Sequence, residues 1–316
     1  MNFSFSKTDE ALLQLGQALK VSGYHFTTST PFTHARVNAR EENAWAKNER
    51  DVFGWSRPFQ REILSHDIWE LMNAAEVVEK HEDGFRSALR LSSLREELFW
   101  HSAFPTSQSD AVFFGPDTYR YAGAIESWVA RKGSTPSRIV DIGSGSGAGA
   151  ILAARAFPDA EVLGVDINEA ALRLTRINTE LAGVKNARAQ QSDLLKDVAG
   201  KFDLILANPP YLVDEDERAY RHGGGPLGAG LSLQIVDAAK GRLAANGTLL
   251  LYTGAAIMDG VDPFRNEVAA RLEGEFEYSY REMDPDVFGE ELERSAYRNA
   301  DRIAAVVIIV GENAVE

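Results

Sequence analysis

The sequence predicts an α/β chain. It should form a mostly parallel sheet of seven strands with an antiparallel C-terminal pair, preceded by a mainly helical N-terminal domain. Three observations carry this expectation. From about Ala111, short apolar runs alternate with amphipathic stretches. The last two apolar runs, "FEYSYREM" and "RIAAVVIIV", are separated by a long excursion, "DPDVFGEELERSAYRNAD". The first third instead shows helical spacing. The expected division is 1–110 for the accessory domain and 111–316 for the sheet.

In chain order, "DEALLQLGQALKVSG" reads as a helix ending at Gly23. "REENAWAKNERDVFGW" and "REILSHDIWELMNAAEVVEK" also read as helices, and "GFRSALRLSSLREELFWHSAFP" as a small hairpin. "PTSQSDAVFFGPDTY" joins the two parts. The buried strands follow as "SRIVDIG", "AEVLGVD", the run ending in "QQSDLL", "FDLILAN" and "GTLLLYTG". Leu174, Ile177 and Leu181, then Leu231, Ile235 and Ala238, recur at helical spacing between them. Strand–helix alternation implies βαβ units, whose sheet is covered on both faces.

Composition narrows the function classes. The 316 residues are 44% hydrophobic and 25% charged, a normal globular balance. No apolar run approaches bilayer length, so no membrane association is expected. "MNFSFSKTDE" lacks the basic-then-apolar pattern of an export signal, so the expected location is cytoplasmic. There is no cysteine, which excludes thiolate chemistry. The six histidines are scattered, five of them before residue 110, without ligand-like spacing. Net charge is -14, and neither part of the chain is basic: residues 1–110 hold 12 Lys and Arg against 16 Asp and Glu. Clustered cations drive binding to phosphate backbones, so the charge disfavours nucleic acid as the main partner.

The chemistry-bearing residues lie at the expected strand ends. The first strand of the sheet runs into "DIGSGSGAGA", where glycines let the backbone turn tightly and approach a ligand. Two cofactors fit this loop. Gly143-x-Gly145-x-x-Ala148, with Asp166 after it, matches a dinucleotide fingerprint. Asp141-x-Gly143-x-Gly145-x-Gly147 equally suits S-adenosylmethionine. Both ligands carry adenosine, so an acidic residue ending the second strand serves either. Asp193, after the third strand, adds an acceptor for an adenine amino group. The fourth strand ends in Asn208-Pro209-Pro210-Tyr211, where two prolines forbid both helix and continued ladder pairing. A dehydrogenase has no use for that tetrapeptide, and the ordered set of four strand ends favours S-adenosylmethionine.

From 111 to about 310 the chain resembles the class I S-adenosylmethionine-dependent methyltransferases. "NPPY" is similar to the motif of those that methylate amino and amide nitrogens. The likeness extends to the release-factor glutamine N5-methyltransferases (HemK-like), through "GPDTY" and "HGGGPLGAGLSLQIV". That family's arginine before "PDT" and glutamate after it are here Gly115 and Tyr119.

The resemblance implies a Rossmann-like sheet and S-adenosylmethionine as cofactor. It implies cofactor residues Asp141, Gly143, Ser144, Gly145, Gly147, Asp166, Ile167, Asp193, Leu194 and Asn208. Asn208, Pro209, Pro210 and Tyr211 are the implied catalytic set. Asn208 and the Pro209 carbonyl would accept from the substrate N–H groups, with Tyr211 as a flat lid. The implied partner is a protein substrate such as a release factor. A nucleic-acid amino group, a small molecule, and a cofactor-binding module without turnover are the alternatives.

Other motifs point to plainer roles. "HGGGP" (222–226) resembles a lipase oxyanion string, but no Gly-x-Ser-x-Gly elbow accompanies it, so a mobile substrate-side loop is expected. His222 is expected to be a solvated loop residue. Trp45, Trp55, Trp69 and Trp100 are expected in the core and domain interface, and "DEDER" (214–218) on the solvated surface.

Overall fold

The computed structural model of the chain describes residues 5–106, 108–131, 135–214, 218 and 220–311. Its first helix, α1 (Lys7–Val21), starts at Ser6, whose hydroxyl caps Asp9 N while Asp9 returns the bond. It buries Leu12, Leu15 and Leu19. Then α2 (Pro31–Asn38) begins on Thr30, with Pro31 in the first turn where its missing N–H costs nothing. The single helix expected across "REENAWAKNERDVFGW" does not form. Only α3 (Glu49–Phe53) is α-helical there, because Asn48 caps Asp51 N and Ala46 N is tied to the Pro58 carbonyl at 2.8 Å. Helix α4 (His66–Ala74) is likewise shorter than read. Glu76 takes a left-handed φ of 56°, and the next residues enter β1 (Val78–His81). Two antiparallel hairpins follow, β1 with β2 (Gly84–Ser87) and β3 (Leu89–Leu94) with β4 (Glu97–Ser102).

Helix α5 (Pro116–Arg131) leads into the large sheet. Its elements are β5 (Arg138–Ile142), α6 (Ala148–Ala156), β6 (Glu161–Asp166), α7 (Glu169–Ala182), β7 (Ala187–Gln191), β8 (Phe202–Ala207), α8 (Gly230–Arg242), β9 (Leu243–Ile257), α9 (Pro263–Leu272), β10 (Tyr278–Asp284) and β11 (Arg302–Val310). The strand order is β10-β11-β9-β8-β5-β6-β7. The pairs from β7 to β9 are parallel, and β11 runs antiparallel to both its neighbours. This is the expected seven-stranded α/β sheet with its antiparallel C-terminal pair.

Apolar clusters cover both sheet faces, one including Ile151, Leu204 and Leu250, the other Val140, Ile205 and Leu249. A third cluster joins the N-terminal helices and hairpins to Ala171, Leu174, Ile177 and Leu181 of α7. Trp100 is fully buried there; Trp55 meets Phe26 edge-to-face at 5.2 Å, and Trp69 meets Phe85 at 4.8 Å. The chain order reverses on either side of β5. In open parallel sheets, that switch point opens a crevice beyond the strand ends.

Candidate active site

Register decides which strand ends meet. Ile142 pairs with both Val165 and Ala207, so Gly143, Asp166 and Asn208 emerge level with one another. Asp166 pairs with Gln191, which carries Asp193 to the same rim. A cavity of about 220 Å³ opens there. It is lined by Asp141, Gly143, Ser144, Gly145, Asp166, Ile167, Asp193, Leu194, Asn208, Pro209, Pro210 and Tyr211. Of the residues expected to bind cofactor or act in catalysis, Gly147 alone is absent from the lining. It turns with φ 84° to cap α6, and a Cβ there would lie 3.1 Å from the Thr175 methyl group. Gly147 therefore faces α7.

The loop is held by carboxylates. Asp166 accepts from Gly145 N at 2.9 Å and from Asn168 N at 3.0 Å, joining the glycine turn to the start of α7. Burial raises its pKa, and those amide bonds oppose the rise. Asp141 is fully buried and accepts from Tyr121 Oη at 2.8 Å and Ala150 N at 2.9 Å. Burial pushes its pKa up to about 7. Gly149 makes this arrangement fit, since a Cβ would stand 2.7 Å from both Asp141 Oδ2 and Tyr121 Oη. Asp193 is more exposed and pairs with Lys196. Ile167 is 60% exposed, an apolar side chain presented beside Asp166 at the cavity wall.

At the β8 end, Asn208 is half-buried and its side-chain amide has no partner among the described residues. Tyr211 is 6% exposed and packs against Phe288 with ring centroids 5.9 Å apart. It is thus a fixed wall of the cavity, where a lid was expected. Its hydroxyl is buried near Asp117 but makes no hydrogen bond of good geometry among the described residues. Burial and the nearby Asp117 and Tyr252 raise its pKa well above that of an ordinary phenol.

The glycine-rich loop after "NPPY" also differs from expectation. A Cβ on Gly223 would lie 2.7 Å from Tyr211 Cα and 2.8 Å from the Pro210 carbonyl oxygen. Gly223 N donates to the Leu212 carbonyl at 2.8 Å. Backbone lies directly on backbone, so this loop braces the Asn-Pro-Pro-Tyr turn. His222 is part of the brace, its Nδ1 accepting from Asp214 N at 3.2 Å. Asp214, expected on the surface, is buried. Arg218 Nε lies 2.8 Å from its carboxylate and holds its pKa down to about 2. The rest of "DEDER" up to Arg218 lies outside the described residues.

Several cavity residues escaped the sequence reading. Asp117 is buried at the start of α5, with Tyr252 Oη donating to it at 2.7 Å and Arg120 Nη1 at 3.2 Å. Burial raises its pKa. Its only sequence signal is the "PDT" string. Tyr121, four residues on and one helical turn away, holds Asp141. Tyr252 supports Asp117 from an apolar run of β9 without lining the cavity, and Phe288 comes from the long excursion, beyond the reach of local pattern.

An S-adenosyl cofactor suits this cavity. Asp166 keeps free lone pairs for ribose hydroxyls, and Ile167 and Leu194 offer apolar cover to an adenine. A Cβ built on Gly143 meets nothing within 4 Å, so the floor is open to close approach by a ligand.

Comparison with known proteins agrees in kind. The family described as methyltransferase small domain matches residues 129–257. The chain is 32% identical over 206 residues to the release factor glutamine methyltransferase of Deinococcus radiodurans, covering 64% of this chain and 72% of that protein. It is 33% identical over 177 residues to the enzyme of the same name from Escherichia coli (strain K12), covering 52% of this chain and 61% of that one. It is 31% identical over 137 residues to a 4-amino-L-phenylalanine/4-methylamino-L-phenylalanine methyltransferase of Streptomyces pristinaespiralis, covering 40% of this chain and 47% of that protein. The chain thus spans less than two thirds of the length of the Escherichia coli relative.

Proposed function

Because this chain belongs to the release factor glutamine methyltransferase family of class I S-adenosylmethionine-dependent methyltransferases, we propose that it methylates an amide nitrogen of a protein glutamine. The observation that carries the proposal is the level emergence of Gly143, Asp166 and Asn208 around one cavity. In this reading Gly143, Ser144 and Gly145 provide the floor, and Asp166 accepts from the ribose. Asp193 accepts from the adenine amino group, and Ile167 and Leu194 cover the base. Asp141 and Gly147 set the shape of the loop from behind.

When bound, S-adenosylmethionine supplies a methyl group already activated on a sulfonium. The protein's work is alignment and charge stabilisation. An amide nitrogen is a poor nucleophile because its lone pair is delocalised. As that nitrogen becomes tetrahedral and more positive, acceptors on its N–H groups bind more strongly than in the ground state. Asn208 Oδ1 and the Pro209 carbonyl are those acceptors. The two prolines hold the carbonyl without adding N–H groups that need partners. Tyr211 is the flat face against which the planar amide rests, and Phe288 and the brace at Gly223 keep it still. The reaction occurs on a nitrogen screened from water by these rings.

The names of the relatives support a protein substrate such as a release factor, and the net charge of -14 weighs against nucleic acid. The likeness to an amino-phenylalanine methyltransferase favours a second reading, an aromatic amine on a small molecule. The test follows tritiated methyl from S-adenosylmethionine into the protein, nucleic-acid and small-molecule fractions of a lysate. Label in protein, at glutamine, is the expected result; label confined to another fraction overturns the substrate reading. Calorimetry against S-adenosylmethionine and NAD tests the cofactor, and binding of NAD alone would refute it.

A further inference from the structure

Helix α7 looks in two directions. One row of its side chains, Ala171, Leu174, Ile177 and Leu181, is buried against the N-terminal region. A second row, Thr175 and Asn178, reaches the glycine loop. Thr175 Oγ1 donates to the Gly145 carbonyl at 3.0 Å. Asn178 is wholly buried, at 0% exposure, and spends its entire amide on two places at once. Its Nδ2 donates to the Ser146 carbonyl at 2.8 Å and to the Trp100 carbonyl at 3.0 Å, while its Oδ1 accepts from Trp100 N at 2.8 Å. Trp100 lies in β4, and Gly16 of α1 sits against its indole, where a Cβ would stand 2.9 Å from Nε1. Ser146 lines the cavity and Asn178 does not.

We propose that Asn178 is a positioning residue through which the N-terminal hairpin fixes the cofactor loop, so that loss of this bridge weakens cofactor binding. A primary amide is the one side chain that satisfies this geometry. It presents an acceptor to one N–H and two donors to two carbonyls from a single planar group. Buried groups left unpaired are costly, so removing the bridge favours displacement of the loop. Coupling through one such contact is reciprocal: whatever cofactor binding does to the hairpin, the hairpin does to cofactor binding.

The inference rests on the cofactor reading above, and the experiment separates the two. Calorimetry with S-adenosylmethionine is run on the full chain as wild type, Asn178→Ala, Asn178→Asp and Asp9→Asn. The last variant removes the ion pair between Asp9 and Arg173, 2.6 Å across the seam of α1 and α7, and leaves the loop untouched. The Asn178 variants are expected to raise Kd and the KM for cofactor by about tenfold or more, with kcat at saturating cofactor within about twofold. Asp9→Asn is expected to lower Tm alone. If Asn178→Ala does not fold, Asn178→Asp decides the matter. Its deficit relative to wild type should narrow between about pH 8 and about pH 5, as the acid regains a donor. Kd within twofold of wild type in the Asn178 variants, or a deficit in Asn178→Asp that ignores pH, overturns the inference. Failure of the wild type itself to bind S-adenosylmethionine overturns the cofactor reading instead.

Discussion

Gly254 on β9 faces the ring of Tyr211 so closely that a Cβ there would lie 2.2 Å from Tyr211 Cδ2 and 2.3 Å from Cε2. No side chain fits between them. Gly254→Ala should therefore push the Tyr211 ring into the cavity. The expected result is a fall in kcat/KM of about tenfold or more with a lowered Tm, in the range of overpacking penalties. Unchanged kinetics in a folded Gly254→Ala protein would mean that the ring position does not govern the reaction.

The proposed role of Tyr211 rests on its ring, which lines the cavity and packs on Phe288. Its hydroxyl is buried near Asp117 without a well-formed hydrogen bond among the described residues, so removing it should cost little or even stabilise the fold. Tyr211→Phe is expected to keep kcat/KM within about threefold and to hold or raise Tm. Tyr211→Ala should lose both activity and stability. Stopped turnover in Tyr211→Phe would instead make the phenol a chemical participant.

Asn208 carries the most direct test of the reaction. Asn208→Ala removes the acceptor proposed to strengthen in the transition state, and the expected loss in kcat is about 10²-fold or more. Cofactor affinity measured by calorimetry should change much less. Near-normal turnover would refute the role assigned to this side chain.

Asp141 makes a pH prediction. Its pKa in the fold is raised by burial to about 7 from an ordinary value of 3.8. The folded state thus holds a proton that the unfolded chain has released between those two values. Its contribution to stability is fully present below the ordinary value and is lost as pH rises to about 7. Asp141→Asn can keep its oxygen toward Ala150 N and turn its NH₂ to Tyr121 Oη, and its Tm should depend less on pH across that window. A variant slope equal to that of wild type would assign the pH dependence to other groups.

The sequence by itself determined the sheet, its strand ends and the cavity-lining residues at them, because these follow from local chemistry. Glycines permit the turn after β5, acidic residues end β6 and follow β7, and two prolines stop β8 within a few residues of an apolar run. Tertiary structure decided the rest. Asp117, Tyr121 and Phe288 meet in the cavity from α5 and the final excursion, with Tyr252 of β9 bonded to Asp117 behind them, and their distance along the chain left no periodic trace. "HGGGPLGAG" reads as a flexible loop in one dimension, but its Gly223 is needed because the backbone of Tyr211 lies against it. Asn178 looked like any polar residue in an amphipathic helix. Only the folding of the N-terminal hairpin and the glycine loop onto α7 put two carbonyls and one N–H around its amide, and burial away from water made that geometry matter.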